Sequence, residues 1–245
     1  MAFDIIYHDD CLCAVDKPPG ILVHRSNIAA SDREFVMQNL RDQLGQRVWP
    51  VHRLDRATSG VLLFALDPDT AKKLGLAFVD RHVDKRYLAV VRGWTEEAGT
   101  IDHPVARHER AEAREARTHY RSLASCELPI PIGGFETARY SLVEARPETG
   151  RRHQIRRHFK HISHHLVGDT TYGDGRHNRL FREHLHCHRM LLHASRLELE
   201  HPYDDSRLEL TAPLSGEFAR VAEGVFGWTG QGASTSGQAS RSKPD

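Results

Sequence analysis

The sequence contains no apolar stretch that approaches the roughly 18 residues needed to cross a membrane. It begins Met-Ala-Phe-Asp, without the basic and apolar segments of a secretory signal. Its four cysteines form no Cys-x-x-Cys pair, which favours reduced thiols over a disulfide framework. These absences predict a protein of the cytoplasm with no membrane segment.

Nucleotide-cofactor motifs are also missing, since neither GxGxxG nor a phosphate-binding GxxxxGK loop occurs. The sequence therefore predicts no cofactor. The net charge is only +1, so the chain as a whole does not indicate a nucleic-acid partner. The distribution of the charge does indicate such a partner, because residues 151–165 contain four Arg, one Lys and five His and no acidic residue. A near-neutral protein with one concentrated basic face can bind phosphates through that face.

The stretch 51–60 places one carboxylate, two guanidiniums, an imidazole and two hydroxyls within ten residues. Its last three residues, Thr-Ser-Gly, are turn formers. The apolar run 61–66 follows without interruption and predicts a strand buried on both faces. Asp55 would then stand on a rigid support, as a catalytic group requires. The alternative is that Asp55 only makes a turn, by bonding to nearby backbone.

The string 52–60, HRLDRATSG, resembles the His-Arg-Leu-Asp signature of the RluA family of pseudouridine synthases, whose Asp is the catalytic carboxylate. Further segments resemble motifs of the same family. They are Lys17-Pro18-Pro19-Gly20, residues 85–93, residues 150–156, Gly168-Asp169 and residues 192–194. The likeness extends from Ile5 to Pro213.

The resemblance implies an enzyme that isomerises uridine to pseudouridine in RNA, a reaction that requires neither NAD nor ATP. It implies that Asp55 is the catalytic carboxylate, that Arg156 pairs with it and that Tyr87 lies against the target base. A guanidinium in contact lowers the pKa of a buried carboxylate by about 1–3 units, so such a pair stays ionised. The remaining candidates for contacts with the nucleoside or the RNA backbone are His52, Arg53, Arg56, Thr58, Arg152, Arg157 and Leu192.

Several of these residues also have plainer interpretations. Tyr87 could fill the core as a strand aromatic, and Leu192 could do the same. Arg156 could lie on an ordinary basic surface helix.

Three other classes of protein stay open at this point. A metalloprotein would use His184, His186 and His188, although no second cluster of ligands accompanies them and we expect no metal site. A glycosidase would need a second carboxylate, for which Asp169 is a candidate. An RNA-binding module without catalysis would not need Asp55.

Residues 22–26, 36–45 and 173–179 resemble members of the family that modify tRNA more than those that modify rRNA. The absence of a basic helical N-terminal module agrees with this. The resemblance implies a tRNA partner and a target near the junction of the acceptor stem and the T arm, uridine 65, with an rRNA-modifying enzyme as the alternative. Nothing indicates an obligate protein partner, so we expect a monomer. Ala57 departs from the pattern, which has Pro there, and should soften the loop.

The alternation of strands and turns with occasional helices predicts an α+β fold, with a mixed, mainly antiparallel sheet and flanking helices. Residues 1–228 would form one catalytic domain, and 229–245 a disordered tail. Helices are predicted over 34–44, from Pro68, from a cap near Thr149 and over 215–226. Strands are predicted over 4–7, 12–15, 61–66, 85–93, 118–128, 137–145, 197–199 and 208–211. The Arg- and Glu-rich segment 107–117 is interpreted as a solvated helix or a mobile insertion, with a contact to RNA as the alternative.

Overall fold

Within the described residues of the computed structural model, 1–24, 34–106 and 111–230, a ten-stranded mixed sheet is flanked by five helices. The strands are β1 Asp4–His8, β2 Leu12–Lys17, β3 Trp49–Pro50, β4 Ser59–Ala65, β5 Asp84–Arg92, β6 Ala98–Asp102, β7 Val105–Ala106, β8 Ala113–Arg114, β9 Arg117–Leu128, β10 Ala138–Pro147, β11 Leu192–Glu200 and β12 Arg207–Thr211. The helices are α1 Val36–Leu44, α2 Pro68–Val79, α3 Gln154–His161, α4 Gly175–Leu185 and α5 Gly216–Phe226. The predicted fold class is confirmed.

The order of strands in the large sheet decides which loops meet. The order is β1-β2-β4-β11-β5-β10-β9-β6, with β12 beside β11 and β3 beside β4. Its pairs are antiparallel except β4 with β11, in which His193 lies opposite Ser59. Because these two strands are parallel, the segments that lead into them meet at one end of the sheet. The loop that carries Asp55 therefore lies beside the start of β11.

Strand β4 forms the centre of the hydrophobic core, and each of its seven residues is buried. Leu62 packs with the cluster that contains α1, and Leu63 packs with the cluster that contains α2. Burial on both faces is what the uninterrupted apolar run predicts. Each fully buried Leu or Phe contributes about 1.5–3 kcal/mol, so this strand is a firm support for the loop before it.

Gly60 in β4 has no room for a side chain. Its φ is 108°, and a Cβ there would lie 2.1 Å from the carbonyl oxygen of Ala194 on β11. We therefore expect Gly60→Ala to lower the free energy of unfolding by about 2 kcal/mol or more, because positive φ and a backbone clash both disfavour it. Urea denaturation measures this. Gly224→Ala in α5, where nothing lies within 4 Å of the added methyl, is the control and should instead stabilise the protein slightly. Equal effects of the two substitutions would contradict this account of the β4–β11 contact.

Three of the predicted helices are confirmed at their expected places. Helix α1 ends at Gly45, which adopts φ 67°. Helix α2 begins at Pro68, and the carboxylate of Asp67 accepts hydrogen bonds from the backbone N–H groups of Asp69 and Thr70. Helix α5 follows Ser215. In each case a terminating or capping residue and an apolar face point to the same boundaries.

The predicted cap at Thr149 is wrong. Helix α3 begins at Gln154, and its preceding residue, His153, adopts φ 55° and makes no capping hydrogen bond through its side chain. The Thr149 hydroxyl instead donates to Oε1 of Gln154 at 2.6 Å. The hydroxyl therefore fixes the turn before the helix rather than the first turn itself.

Two other parts of the chain differ from expectation. Helix α4 was not predicted, because its buried face includes the polar residues His177 and Asn178, which hide the apolar period. A helix over 107–117 is wrong for the part that the structure describes, where Ala113–Arg114 form β8 and Arg117 begins β9. Residues 107–110 lie outside the described chain, as does most of the predicted disordered tail, 231–245.

The cysteines are free thiols, as predicted, with Cys13 and Cys187 buried. His184 lies in the last turn of α4, His186 ends that helix with φ 48°, and His188 follows it. These three histidines therefore do not share the face of a strand. In the described chain no helix is long and apolar enough to span a bilayer.

Candidate active site

The backbone of the loop before β4 is fixed by hydrogen bonds from Lys17. This side chain is fully buried, and its Nζ donates to the carbonyl oxygens of Pro18, Arg56 and Thr58 at 2.9, 3.2 and 2.7 Å. Burial lowers the pKa of Lys17 to about 7. Three carbonyls bound to one amine fix both the loop and the Lys-Pro-Pro-Gly turn, so the segment resembling the family's first motif positions the Asp55 loop.

The backbone and the side chain of Asp55 have different partners. Its carbonyl oxygen accepts the N–H of Thr58 at 3.1 Å and closes the turn. Its carboxylate points across the fold, where Oδ2 lies 3.0 Å from Nη1 of Arg156 on α3. The backbone thus makes the turn, and the carboxylate, which is 19% exposed, takes no part in it.

Arg156 is shared between two carboxylates. Its Nε and Nη2 donate to Asp169 at 2.7 and 2.8 Å, and its Nη1 donates to Asp55. Burial disfavours the charged guanidinium, yet the hydrogen bonds that it donates to Asp169 and Asp55, together with the charges of these carboxylates, raise the pKa of Arg156. The planar guanidinium presents several donors in a fixed geometry, so the fork to Asp169 fixes the direction in which Nη1 points.

Asp169 is the anchor of this arrangement. Its side chain is fully buried, and Oδ1 also accepts the backbone N–H groups of Thr171 and Tyr172 at 2.8 and 3.0 Å. Burial works against its ionisation, but the bonds from Arg156 and from these amides hold its pKa below the ordinary range. Asp169 does not line the cleft described below, so it does not serve as the second carboxylate of a glycosidase.

His153 is a site residue that the sequence did not single out. Its Nε2 lies 3.7 Å from Oδ1 of Asp55, and its Nδ1 lies 3.1 Å from the hydroxyl of Tyr172. Burial lowers its pKa, which favours the neutral ring. His153 has a left-handed backbone conformation, with φ 55°, and its imidazole faces Asp55. No sequence pattern predicts that conformation. The place of His153 within residues 150–156, the segment that resembles a family motif, is a signal that could have suggested it.

A cleft of about 900 Å³ opens above the Asp55 carboxylate. This volume is of the size that holds a small-molecule ligand or a nucleoside. Of the sequence-predicted site residues, it is lined by Asp55, Arg156, Tyr87, His52, Arg53, Thr58, Arg152 and Leu192. Further cations in its lining are Arg81, Lys85, Arg114 and Arg151. The sheet and α3 thus bring eight of the ten predicted residues together.

The other two predicted residues lie elsewhere. Arg56 donates from Nε to the carbonyl oxygen of Gly20 at 2.9 Å. Arg157 donates from Nη1 to the carbonyl oxygen of Ala106 at 2.5 Å. Neither lines the cleft. Both arginines bond to backbone of neighbouring loops.

Tyr87 and Leu192 form the apolar part of the cleft. Tyr87 lies on β5 opposite Ala194 of β11, and it packs against two of the core clusters. Burial, reinforced by the charge of Asp55, raises the pKa of Tyr87, so its hydroxyl stays protonated near neutral pH. Leu192 is 3% exposed. Because its aromatic ring lines the cleft, Tyr87 can support a base by stacking. Its hydroxyl, which is already protonated, is a poor proton acceptor.

His52 contacts protein on two sides while it lines the cleft. Its Nε2 accepts the backbone N–H of Leu63 at 3.0 Å, so the proton of the neutral ring is on Nδ1. Its ring stacks on Phe78 with the centroids 4.9 Å apart. Burial lowers the pKa of His52 to about 3, so the ring is neutral. It joins the Asp55 loop to β4 and α2.

Comparison with known proteins decides between the classes that the sequence left open. Residues 12–161 match the family model of RNA pseudouridylate synthase. The chain belongs to the RNA pseudouridylate synthase family. The resemblance seen in the sequence is confirmed, and this family member is an RNA pseudouridine synthase, an isomerase. The matched span contains Asp55, Tyr87 and Arg156, whereas Asp169 and Leu192 lie beyond it.

Relatives of this synthase are similar over almost their whole length. A Vibrio cholerae serotype O1 protein named tRNA pseudouridine synthase C is 49% identical over 238 residues, which cover 92% of this chain and 96% of that protein. A Yersinia pestis protein of the same name is 47% identical over 241 residues, covering 93% and 92%. Among solved structures, human RNA pseudouridylate synthase domain containing 1 is 28% identical with a TM-score of 0.69, over 87% of this chain and 84% of that one.

Proposed function

We propose that this synthase converts a uridine of tRNA to pseudouridine and that Asp55 is the carboxylate that acts on the nucleoside. The observation that carries the proposal is the Asp55–Arg156–Asp169 arrangement at the base of a cleft whose apolar side is Tyr87 and Leu192. In the proposal, residues 1–228 form the catalytic domain of a cytoplasmic monomer. It needs no cofactor, because the reaction transfers no electrons and no group to a second molecule.

The chemistry breaks the bond between N1 of the base and the ribose C1′, rotates the base and joins its C5 to C1′. C5 then releases its proton to solvent, and N1, no longer bonded to the ribose, takes up a proton. Asp55 can attack C1′, add to C6 of the base or remove a ribose proton, and each route uses the same ionised carboxylate. Arg156 holds that charge in a partly buried place and fixes its direction. Because Asp169 occupies Nε and Nη2 of Arg156, the guanidinium cannot turn away when Asp55 changes its bonding.

The target uridine must leave its helix to reach Asp55, at a cost of a few kcal/mol. Stacking on an aromatic ring contributes about 1–3 kcal/mol per base, so Tyr87 offsets much of this cost. Contacts between phosphates and the cleft cations, Arg53 and Arg152 among them, supply the rest. In base flipping, the apolar side of the cleft (Tyr87 and Leu192) and the cleft cations thus act together.

Tyr87 offers a graded test of the stacking role. We expect Tyr87→Leu to lower kcat/KM by about 10- to 100-fold, because stacking worth about 1–3 kcal/mol is lost. Tyr87→Phe keeps the ring and should stay within about tenfold of the parent. Steady-state kinetics on an unmodified tRNA transcript measures both. A Tyr87→Leu enzyme as active as Tyr87→Phe would remove stacking from the account.

The choice of RNA rests on the relatives, whose printed names specify tRNA. The proposed target is uridine 65, near the junction of the acceptor stem and the T arm, and an rRNA uridine is the alternative. Tritium release from 5-tritiated uridine should occur with an unmodified tRNA transcript and stay at background with rRNA fragments. A second transcript, with cytidine at position 65 and its pairing partner changed to match, should release none. Undiminished release from it would refute position 65, and release only from rRNA would refute the tRNA assignment.

A further inference from the structure

A second group of reactive side chains lies at the other end of the sheet from Asp55. Asp9 and Cys11 belong to the turn between β1 and β2, and His201 follows β11 directly. Because β4 and β11 each run from the cleft toward these turns, the group is about 20 Å from the Asp55 loop, the length of a seven-residue strand. None of the three residues lines the cleft. They are therefore independent of the proposed chemistry.

Three different potential metal ligands converge in this group. Nε2 of His201 lies 3.4 Å from Sγ of Cys11 and 3.2 Å from Oδ2 of Asp9. All three ligand atoms lie within 4.8 Å of one another. A tetrahedral zinc ion with ordinary bond lengths separates its sulfur and nitrogen ligands by about 3.6 Å and its nitrogen and oxygen ligands by about 3.4 Å. The group already has nearly these separations.

The surroundings fix the carboxylate of Asp9 and place a carboxylate beside the ring of His201. Oδ1 of Asp9 accepts the backbone N–H groups of Cys11 and Leu12 at 2.8 and 2.7 Å, and the hydroxyl of Tyr7 donates to Oδ2 at 2.6 Å. Nδ1 of His201 lies 3.0 Å from a carboxylate oxygen of Asp204. A carboxylate at the far nitrogen is the usual partner of a metal-bound imidazole.

We infer that Asp9, Cys11 and His201 bind one zinc ion, with water in the fourth position. A thiolate, an imidazole and a carboxylate together suit zinc better than calcium or magnesium, which prefer oxygen ligands alone. On binding, the Cys11 thiol releases its proton to solvent and the sulfur takes the metal. The ion ties the β1–β2 turn to the β11–β12 turn, which are distant in sequence, and so braces this end of the sheet. The competing arrangement is the contact of the His201 ring with Asp9 and Asp204 with no metal.

Cobalt(II) is the probe, because a thiolate bound to it gives a charge-transfer band in the near ultraviolet. The full chain is stripped with a chelator, dialysed and titrated with cobalt. We expect the band to saturate at one cobalt per chain and to disappear when zinc is added. Cys11→Ser should abolish the band, and His201→Gln and Asp9→Asn should each weaken cobalt binding at least 100-fold. Cys126→Ser, which removes a half-buried thiol far from this group in sequence, is the matched control and should bind as the parent does.

The same samples test the bracing role. Zinc added to the stripped parent should raise its Tm, since a ligand that binds only the folded state stabilises it. Cys11→Ser should show no such rise, and Cys126→Ser should show the full one. No charge-transfer band in the parent, or an equal band in Cys11→Ser, would overturn the inference. A cooperative thermal transition of Cys11→Ser shows that its lost binding is not lost folding.

Discussion

Asp55→Asn is expected to reduce tritium release from 5-tritiated uridine in tRNA at least about 10⁴-fold, which is to background. The amide has the shape of the carboxylate but is neutral, so it can neither attack carbon nor accept a proton. The fold should survive, because Arg156 keeps both bonds to Asp169 and position 55 is partly exposed. Binding of tRNA should be largely kept, since the cleft cations are unchanged.

The control for this substitution is Asp42→Asn. Asp42 is an exposed carboxylate on α1 whose ion pair is with its neighbour Arg41. It should have the activity of the parent. Persistent release by Asp55→Asn would eliminate Asp55 as the catalyst and would leave a different carboxylate to consider.

Arg156→Ala is expected to damage stability as well as catalysis. It leaves the carboxylate of Asp169, whose side chain is fully buried, without its cation. Breaking a buried ion pair in this way costs about 3–5 kcal/mol. Urea denaturation of the parent and the variant at pH 7 measures the loss. An unchanged free energy of unfolding would mean that Asp169 is not the anchor described above.

The effects of Arg156 on stability and catalysis can be separated by a second substitution. Asp169→Asn in the Arg156→Ala background removes the orphaned charge and should recover part of the lost stability. It should not recover kcat, which we expect to stay at least about 100-fold below the parent, because Asp55 still lacks its guanidinium partner. If kcat returned together with stability, Arg156 would be structural only.

The fold was predictable where local signals agreed. Strand β4 was evident from six consecutive apolar residues, and α1 from its apolar period and the glycine at its end. Helix α4 was missed because its inward face carries histidine and asparagine, whose Nδ1 and Oδ1 atoms bond to Tyr140 and to the backbone of Gly168. A helix is predicted from the spacing of its apolar residues. A helix whose buried face carries hydrogen-bonded polar side chains therefore lacks the pattern on which the prediction depends.

The candidate site was predictable in its residues more than in its geometry. Asp55 and Arg156 are 101 positions apart, and it was the resemblance to a family that joined them. Asp169 is the candidate second carboxylate of the glycosidase alternative, whereas its bonds make it the anchor of Arg156. Arg56 and Arg157 are predicted to contact the nucleoside or the RNA backbone. In the structure each bonds to a backbone carbonyl of the protein and neither lines the cleft, so a contact with the RNA backbone stays a prediction. Composition cannot tell a cation that faces a ligand from one that closes a loop.

The central claim is that Arg156, fixed by Asp169, directs the Asp55 carboxylate at a uridine flipped into the cleft. The most direct measurement is a crystal structure of the Asp55→Asn variant bound to an RNA stem that contains the target. The account predicts the uracil stacked on Tyr87, with C1′ or C6 of the uridine about 3–3.5 Å from the side chain at position 55. A uridine that binds in the cleft with its reacting carbons turned away from position 55, or that binds elsewhere, would contradict it.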